Sequence, residues 1–271
     1  MSYFVSVPTE NGLNQLPQNP CKLLDFQLLA LEDGQTVTAD SGDREVLAVL
    51  LGGKADFTVN EHLFPGVGGR PNVFAGKPHS VYIPCGATYT VKGNGRVQIG
   101  LCSAPSELQT EPYIINPDHV TTGVWGAANF SRNFHQILTA TSQPNLPAAR
   151  LIVGETYTPS GNWSTYPPHK HEADDLPREA YHEEMYFFKV NPGDGFGITR
   201  FYNGEVDTGY IVHDNTILMM PNGYHTVVSA PGYTTYYLWF LAGNHRVQAV
   251  VEDANVGWVS RTVSMLRDLG H

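Results

Sequence analysis

Four side chains in the second half of this 271-residue chain are of the types, and stand in the order, that bind a metal ion. His169 and His171 are one residue apart. On a strand, where side chains alternate with period two, both point to the same face and can share an ion. Farther on, Glu184-Met185-Tyr186-Phe187-Phe188 reads as a strand with Glu184, Tyr186 and Phe188 on one face. Glu183 is a rival to Glu184, because strand parity seats only one of the two inward. Thr216 to Met220 forms a further strand, Pro221-Asn222-Gly223 a turn, and His225 follows. Three imidazoles and a carboxylate are borderline ligands suited to zinc, iron, manganese or nickel, and they leave room on the ion for water or substrate. His62, His79, His119, His135, His182, His213, His245 and His271 have no matching pair, and surface placement is the expectation for each.

The elements that must position these groups are strands. Twenty-seven glycines, 19 prolines and many short Val, Ile, Tyr and Phe runs favour strands joined by turns over helices. Cys21 to Leu31 suits a buried strand, and the turn-rich residues 1 to 20 are expected to wrap a surface or reach a neighbouring subunit. Glu45 to Gly53 is a strand ending in a glycine turn, and Val81 to Tyr89 contains Pro84-Cys85-Gly86. The same order, strand with glycine turn and then strand with Pro-x-Gly turn, occurs in both halves and reads as an internal repeat. In the first half no His-x-His precedes Glu45, and Tyr89 stands near where a histidine would close the site. Thr139 to Pro147 is polar with two prolines, the expected linker, which puts a boundary near residue 140. Phe196 to Gly204 reads as a strand ending in an Asn-Gly turn. Trp258 to Leu269 is the one short helix expected.

Gly161, His169-Lys170-His171, Glu184 and Pro221-x-Gly223-x-His225 together resemble the two motifs of the cupin superfamily. The gap between His171 and Glu184 is longer than the usual pattern and implies an inserted loop, Glu172 to Arg178; the second motif is one residue shorter than the common form. The resemblance implies an all-β bicupin, two tandem β-barrel (double-stranded β-helix) domains: residues 1–140 a degenerate barrel without metal, residues 141–271 the metal-binding barrel. From Arg150 to Gly243, the segments Gly161 to His171, Gly195-Phe196-Gly197, Pro221 to His225, Ala230 to Tyr233 and Tyr236-Tyr237-Leu238 resemble the 5-deoxy-glucuronate isomerase family of myo-inositol breakdown. Its relatives include the isomerase of 4-deoxy-5-keto-uronates from pectin, whose zinc sits on three histidines and a glutamate.

That resemblance implies a metal-dependent aldose-ketose isomerase converting 5-deoxy-glucuronate to 5-dehydro-2-deoxy-gluconate. It implies a divalent metal on His169, His171, Glu184 and His225, zinc first, with manganese, iron or nickel as alternatives. The rival readings are the pectin-type uronate isomerase, a non-catalytic sugar-acid-binding cupin and a metal-dependent dioxygenase, since a fold does not name its chemistry. An isomerase also needs a base at C2 and a cation for the substrate carboxylate. Glu183, Tyr186 and Tyr237 are the candidates for the base. Arg200 is the candidate for the carboxylate, because a guanidinium among aromatics is costly to bury without an anion; the alternative is a structural pair with Glu155 or Glu205. Lys170, between the two histidines, points away from the metal.

The net charge of -10, without clustered Lys and Arg, argues against a nucleic-acid groove. No apolar run approaches the roughly 20 residues that span a bilayer, and the first residues do not read as a signal peptide. Cys21, Cys85 and Cys102 are odd in number and widely spaced, so no disulfide framework is expected and the reducing cytoplasm is the expected compartment. The expected partners are a small sugar acid and further copies of the chain, with no nucleic acid and no membrane.

Overall fold

The computed structural model describes residues 2–271, and their strands stack as four antiparallel sheets. In the first half, a six-stranded sheet runs Tyr113–Ile115, Ser80–Ile83, Arg44–Gly52, Val97–Pro105, Asp25–Leu31, Gly12–Gln15 in spatial order. It faces a four-stranded sheet of Thr36–Asp40, Thr88–Gly93, Lys54–Val59 and His62–Gly68. In the second half, a seven-stranded sheet runs Phe4–Ser6, Thr216–Met220, His182–Asn191, Thr234–Gly243, Ile152–Thr158, Arg132–Leu138, Thr121–Trp125. Its companion is a five-stranded sheet of Asp207–Val212, Gly197–Tyr202, Tyr224–Ser229, Trp163–Lys170 and Val251–Glu252.

Burial patterns show why the sheets stack in this order. Outer strands such as Lys54–Val59 alternate between buried and more exposed residues, whereas Val46–Leu51 and Thr235–Gly243 are buried without interruption. A continuous apolar run marks a strand covered on both faces, and the six- and seven-stranded sheets are covered in that way. Between them, Phe26, Leu47 and Val49 meet Met185, Phe187, Leu238 and Phe240. The Phe26 ring lies 4.9 Å from that of Phe187 and 5.6 Å from that of Phe240. Each pair of facing sheets encloses its own second core. The described residues contain one α-helix, Val263–Asp268, after a 3-10 turn at Gly257–Thr262. Among the described residues no helix is long and apolar enough to cross a membrane.

The two halves repeat each other residue by residue where their strands pair. Val46 lies opposite Ile83 and Glu184 opposite Met220, each just before a Pro-x-Gly turn. Ala39 lies opposite Tyr89, as His169 lies opposite His225. Ala39, Ser41, Val46 and Tyr89 therefore occupy the positions of His169, His171, Glu184 and His225, and among the described residues the first half offers no comparable donor set. One residue earlier, Glu45 and Glu183 correspond, and both carboxylates clasp the opposite half. Glu45 accepts backbone N–H bonds from Ala149, Arg150 and Leu151 at 2.7–2.8 Å. Glu183 accepts them from Lys22, Leu23 and Leu24 at 2.7–3.1 Å.

Strands that precede residue 140 also belong to the second half. Phe4–Ser6 pairs with Thr216–Leu218, which is how the N-terminal segment wraps the molecule. Arg132–Leu138 pairs with Ile152–Thr158, and Thr121–Trp125 pairs with Arg132–Leu138. The polar stretch from Thr139 is thus a reversal inside one sheet, tightened by the Gln143 side chain on the Thr139 N–H. A cut near residue 140 does not follow the division of the sheets, because the composition that marks a linker also marks such a reversal.

Candidate metal centre

The four expected donors converge. His169 lies directly opposite His225 across an antiparallel pair, and directly paired residues share a face. Gly223, at φ +86°, makes the turn that delivers His225; a Cβ there would stand 2.7 Å from the Tyr202 carbonyl oxygen, and left-handed backbone favours glycine. Glu184 enters from the seven-stranded sheet. The ligand atoms of His169, His171, Glu184 and His225 all lie within 4.8 Å of one another. A Glu184 carboxylate oxygen sits 3.0 Å from Nε2 of both His171 and His225.

The hydrogen bonding around these rings fits an ion. His171 Nδ1 lies 2.8 Å from the His182 carbonyl; a carbonyl only accepts, so Nδ1 carries the proton and Nε2 faces inward. His225 is fully buried, and neither of its ring nitrogens has a hydrogen-bond partner. Its 3.0 Å approach to Glu184 lacks hydrogen-bond alignment. A buried nitrogen left so is costly, and a divalent ion between these four groups would satisfy it. Burial, with His225 and His171 close by, holds His169 well below its usual pKa and therefore neutral. Burial would raise the Glu184 carboxyl, but His225 and His171 hold it well below the usual range. A neutral imidazole and an ionised carboxylate are the forms that bind metal.

Around the cluster lies a cavity of about 340 Å³, within the roughly 300–1,000 Å³ of small-molecule sites. Tyr186 and Tyr237 line it, their rings stacked at 4.3 Å. Both hydroxyls meet Thr165 Oγ1, at 3.3 and 3.1 Å. Thr165 itself is buried at φ +53°, an unfavourable backbone for a β-branched residue. It stands where the pairing of Trp163–Lys170 with Tyr224–Ser229 is interrupted, before His169. A larger cavity, about 640 Å³, lies between the halves beside Lys189 and Asp214 and holds none of the four donors.

Two expected residues are elsewhere. Parity turns Glu183 away from Glu184 and into its clasp on Lys22, Leu23 and Leu24, so it does not reach the cavity as a base. Glu183→Ala should strip three N–H groups, the buried one of Leu24 among them, of their acceptor and lower stability by about 3 kcal/mol, roughly 6–12 °C in melting temperature, while ion content by elemental analysis stays unchanged. Arg200 is exposed and forms a two-point bond with Asp207 at 2.8 and 2.7 Å. Its strand buries Gly197, Thr199 and Phe201 and turns Arg200 outward. The partner is neither Glu155 nor Glu205, and Glu155 is held by Arg70 instead. Lys170 points outward to Glu172, as alternation requires.

Other residues enter the site or core without a signal in the sequence. His182 is buried beside the cluster, with Nε2 2.7 Å from the His245 carbonyl, and His135 is partly buried against Glu155; neither is a surface histidine. Trp125, Arg132, Trp239 and Glu252 also line the cavity. Glu252 lies directly opposite His169 and so shares its face. Trp125 and Arg132 come from before residue 140, and only the strand pairing brings them here.

The chain is similar in sequence and fold to known proteins. The KduI/IolB family profile matches residues 9–259. The 5-deoxy-glucuronate isomerase of Geobacillus kaustophilus (strain HTA426) is 38% identical over 237 residues, 86% of this chain and 84% of that protein. The crystal structure of an IolB-like protein from Salmonella typhimurium LT2 superposes with a TM-score of 0.90 at 29% identity, covering 96% of this chain and 99% of that one. An oxalate decarboxylase from Lactobacillus farciminis has a TM-score of 0.67 at 11% identity, covering 99% of this chain and 93% of that one; it shares the fold alone.

Proposed function

The chain belongs to the KduI/IolB family, and from that premise we propose that it is a metal-dependent aldose-ketose isomerase converting 5-deoxy-glucuronate to 5-dehydro-2-deoxy-gluconate in inositol catabolism. The observation that carries the metal dependence is the set of four donors within 4.8 Å, including a buried imidazole without a partner. The architecture fits a bicupin: two β-sandwich barrels in tandem, the first without ligands, with strands from before residue 140 completing the second.

His169, His171, Glu184 and His225 would hold the ion, with zinc the first choice and manganese, iron or nickel the alternatives. A divalent ion supplies stabilisation for the negative charge that develops on two adjacent substrate oxygens. The chain's own groups do the rest. One proton must leave C2 and reach C1, and Glu252 is the carboxylate of the cavity that is not a ligand. It accepts a hydrogen bond from Ser260 Oγ at 2.9 Å, which leaves its second oxygen for the proton. Burial pushes the Tyr186 hydroxyl well above the usual phenol range. Tyr186 therefore stays protonated and, with Thr165, orients sugar hydroxyls, while Tyr237 donates to Ser164 Oγ at 3.0 Å. Cytoplasmic residence and assembly as a homo-oligomer belong to the same proposal, the former supported by three free cysteines.

The test is conversion of 5-deoxy-glucuronate by protein loaded with zinc, manganese, iron or nickel, followed by NMR in heavy water. The keto acid should form, with deuterium at its former aldehyde carbon if the base exchanges with solvent before delivering its proton. Binding of the acid without conversion by any loaded form would sink the isomerase and leave a sugar-acid-binding protein. Faster turnover of the 4-deoxy-5-keto-uronate would reassign the substrate.

A further inference from the structure

Arg132 is the one arginine lining the cavity of the candidate centre. It lies directly opposite Trp125 across an antiparallel pair, and its guanidinium carbon stands 5.3 Å from the centre of the Trp125 ring. The ring covers one side of the guanidinium and offers it no acceptor. Among the described residues the Arg132 side chain makes no hydrogen bond and no ion pair, although Glu184 and Glu252 line the same cavity. By contrast Arg44, Arg70, Arg150, Arg246 and Arg267 each place the guanidinium on a backbone carbonyl. Burial draws its pKa downward, against the opposing influence of Tyr237 and Tyr186, so the site bears the cost of keeping a cation there.

A second donor in this cavity also lacks an acceptor. Trp239 is buried, and its indole N–H has no partner. Its ring lies 6.4 Å from that of Trp125, so it continues the wall on which Arg132 rests. Gly154 makes room for it: a Cβ there would stand 2.2 Å from Trp239 Cζ2. Arg132, half-buried and open to the cavity with no acceptor supplied by the protein, calls for an anionic ligand group.

We infer that Arg132 is the specificity-determining residue that binds the carboxylate of the sugar acid, with the Trp125 and Trp239 rings walling that end of the cavity. This rests on the sugar-acid reading above. The planar guanidinium can donate two parallel bonds to a carboxylate. Carboxylate at Arg132 and the C1–C2 end at the four ligands would fix the sugar at both ends, so that one orientation presents C2 to the base.

The experiment compares wild type, Arg132→Ala and Arg132→Lys, each with ion content and melting temperature measured first. Calorimetry is run with 5-deoxy-glucuronate and with 5-deoxy-glucose, which lacks the carboxylate, and turnover of the acid is followed in parallel. Arg132→Ala should weaken binding of the acid and lower kcat/KM roughly 10- to 150-fold, the range for a charge-assisted bond. The neutral sugar should bind both proteins alike, and Arg132→Lys should recover part of the loss. Acid binding that depends on Arg132 without turnover in any protein would uphold the carboxylate site while the isomerase reading falls. A folded, ion-replete Arg132→Ala that binds the acid as wild type does, or a wild type that does not prefer the acid, would overturn the assignment.

Discussion

His225→Ala is expected to remove the bound ion and nearly all isomerase activity together. His225 is fully buried and hydrogen-bonded to nothing, so its deletion removes a ligand and relieves an unsatisfied polar group in the same step. Residues that merely orient ligands cost roughly 10- to 100-fold in metal affinity, and loss of a ligand should exceed that. Metal stabilisation of developing charge amounts to several kcal/mol, so activity should drop on the order of 10³-fold. Elemental analysis of wild type should give one ion per chain, because Ala39, Ser41, Val46 and Tyr89 replace the ligands in the first half. Full ion content in His225→Ala would exclude it as a ligand, and a second ion inside the first half would contradict the correspondence of the two halves.

Short-range patterns made much of this molecule legible in its sequence. The strand at Thr216–Met220, the turn before His225 and the short C-terminal helix depend on neighbours in the chain, and they stand where periodicity and turn residues place them. The choice between Glu183 and Glu184 was not legible, since it depends on which face of His182–Asn191 meets which core. Both faces of that strand are buried, and alternation is informative only when one face is wet. A guanidinium among aromatics needs an anion, but Arg200 turns out to be exposed. The guanidinium that does lie against an aromatic wall in the cavity is Arg132, from a strand whose sheet could not be known before the pairing of Arg132–Leu138 with Ile152–Thr158. Glu252 was hidden for a different reason: a two-residue strand carries no periodicity.

The largest effect on stability should come from the buried pair that ties the two halves together. Glu155, on the seven-stranded sheet, is fully buried and meets Arg70 of the first half at 2.5 and 3.1 Å. His135, Tyr157 and Tyr236 complete its shell at 3.0, 3.1 and 2.8 Å. Removing one member leaves the other charge buried without its partner, a loss of about 3–5 kcal/mol. Arg70→Ala should therefore lower the melting temperature by roughly 6–20 °C, whereas joint replacement of both residues by methionine should recover much of it. Acid supplies an independent check. Burial acts to raise the Glu155 pKa, but Arg70 and His135 prevail and hold it at about 2, below the ordinary 4.5. A carboxylate depressed in this way stabilises the fold fully above its unfolded pKa and loses that contribution as pH falls from about 4.5 toward 2, by about 3 kcal/mol in all. Glu155→Gln has the shape of the protonated acid, so the stability difference between wild type and variant should narrow as pH falls from about 4.5 toward 2. The metal site is common to both proteins, and its own loss in acid cancels in that difference. Urea unfolding at a series of pH values measures it, and a difference that stays flat down to pH 3 would show that Glu155 does not carry the buried charge.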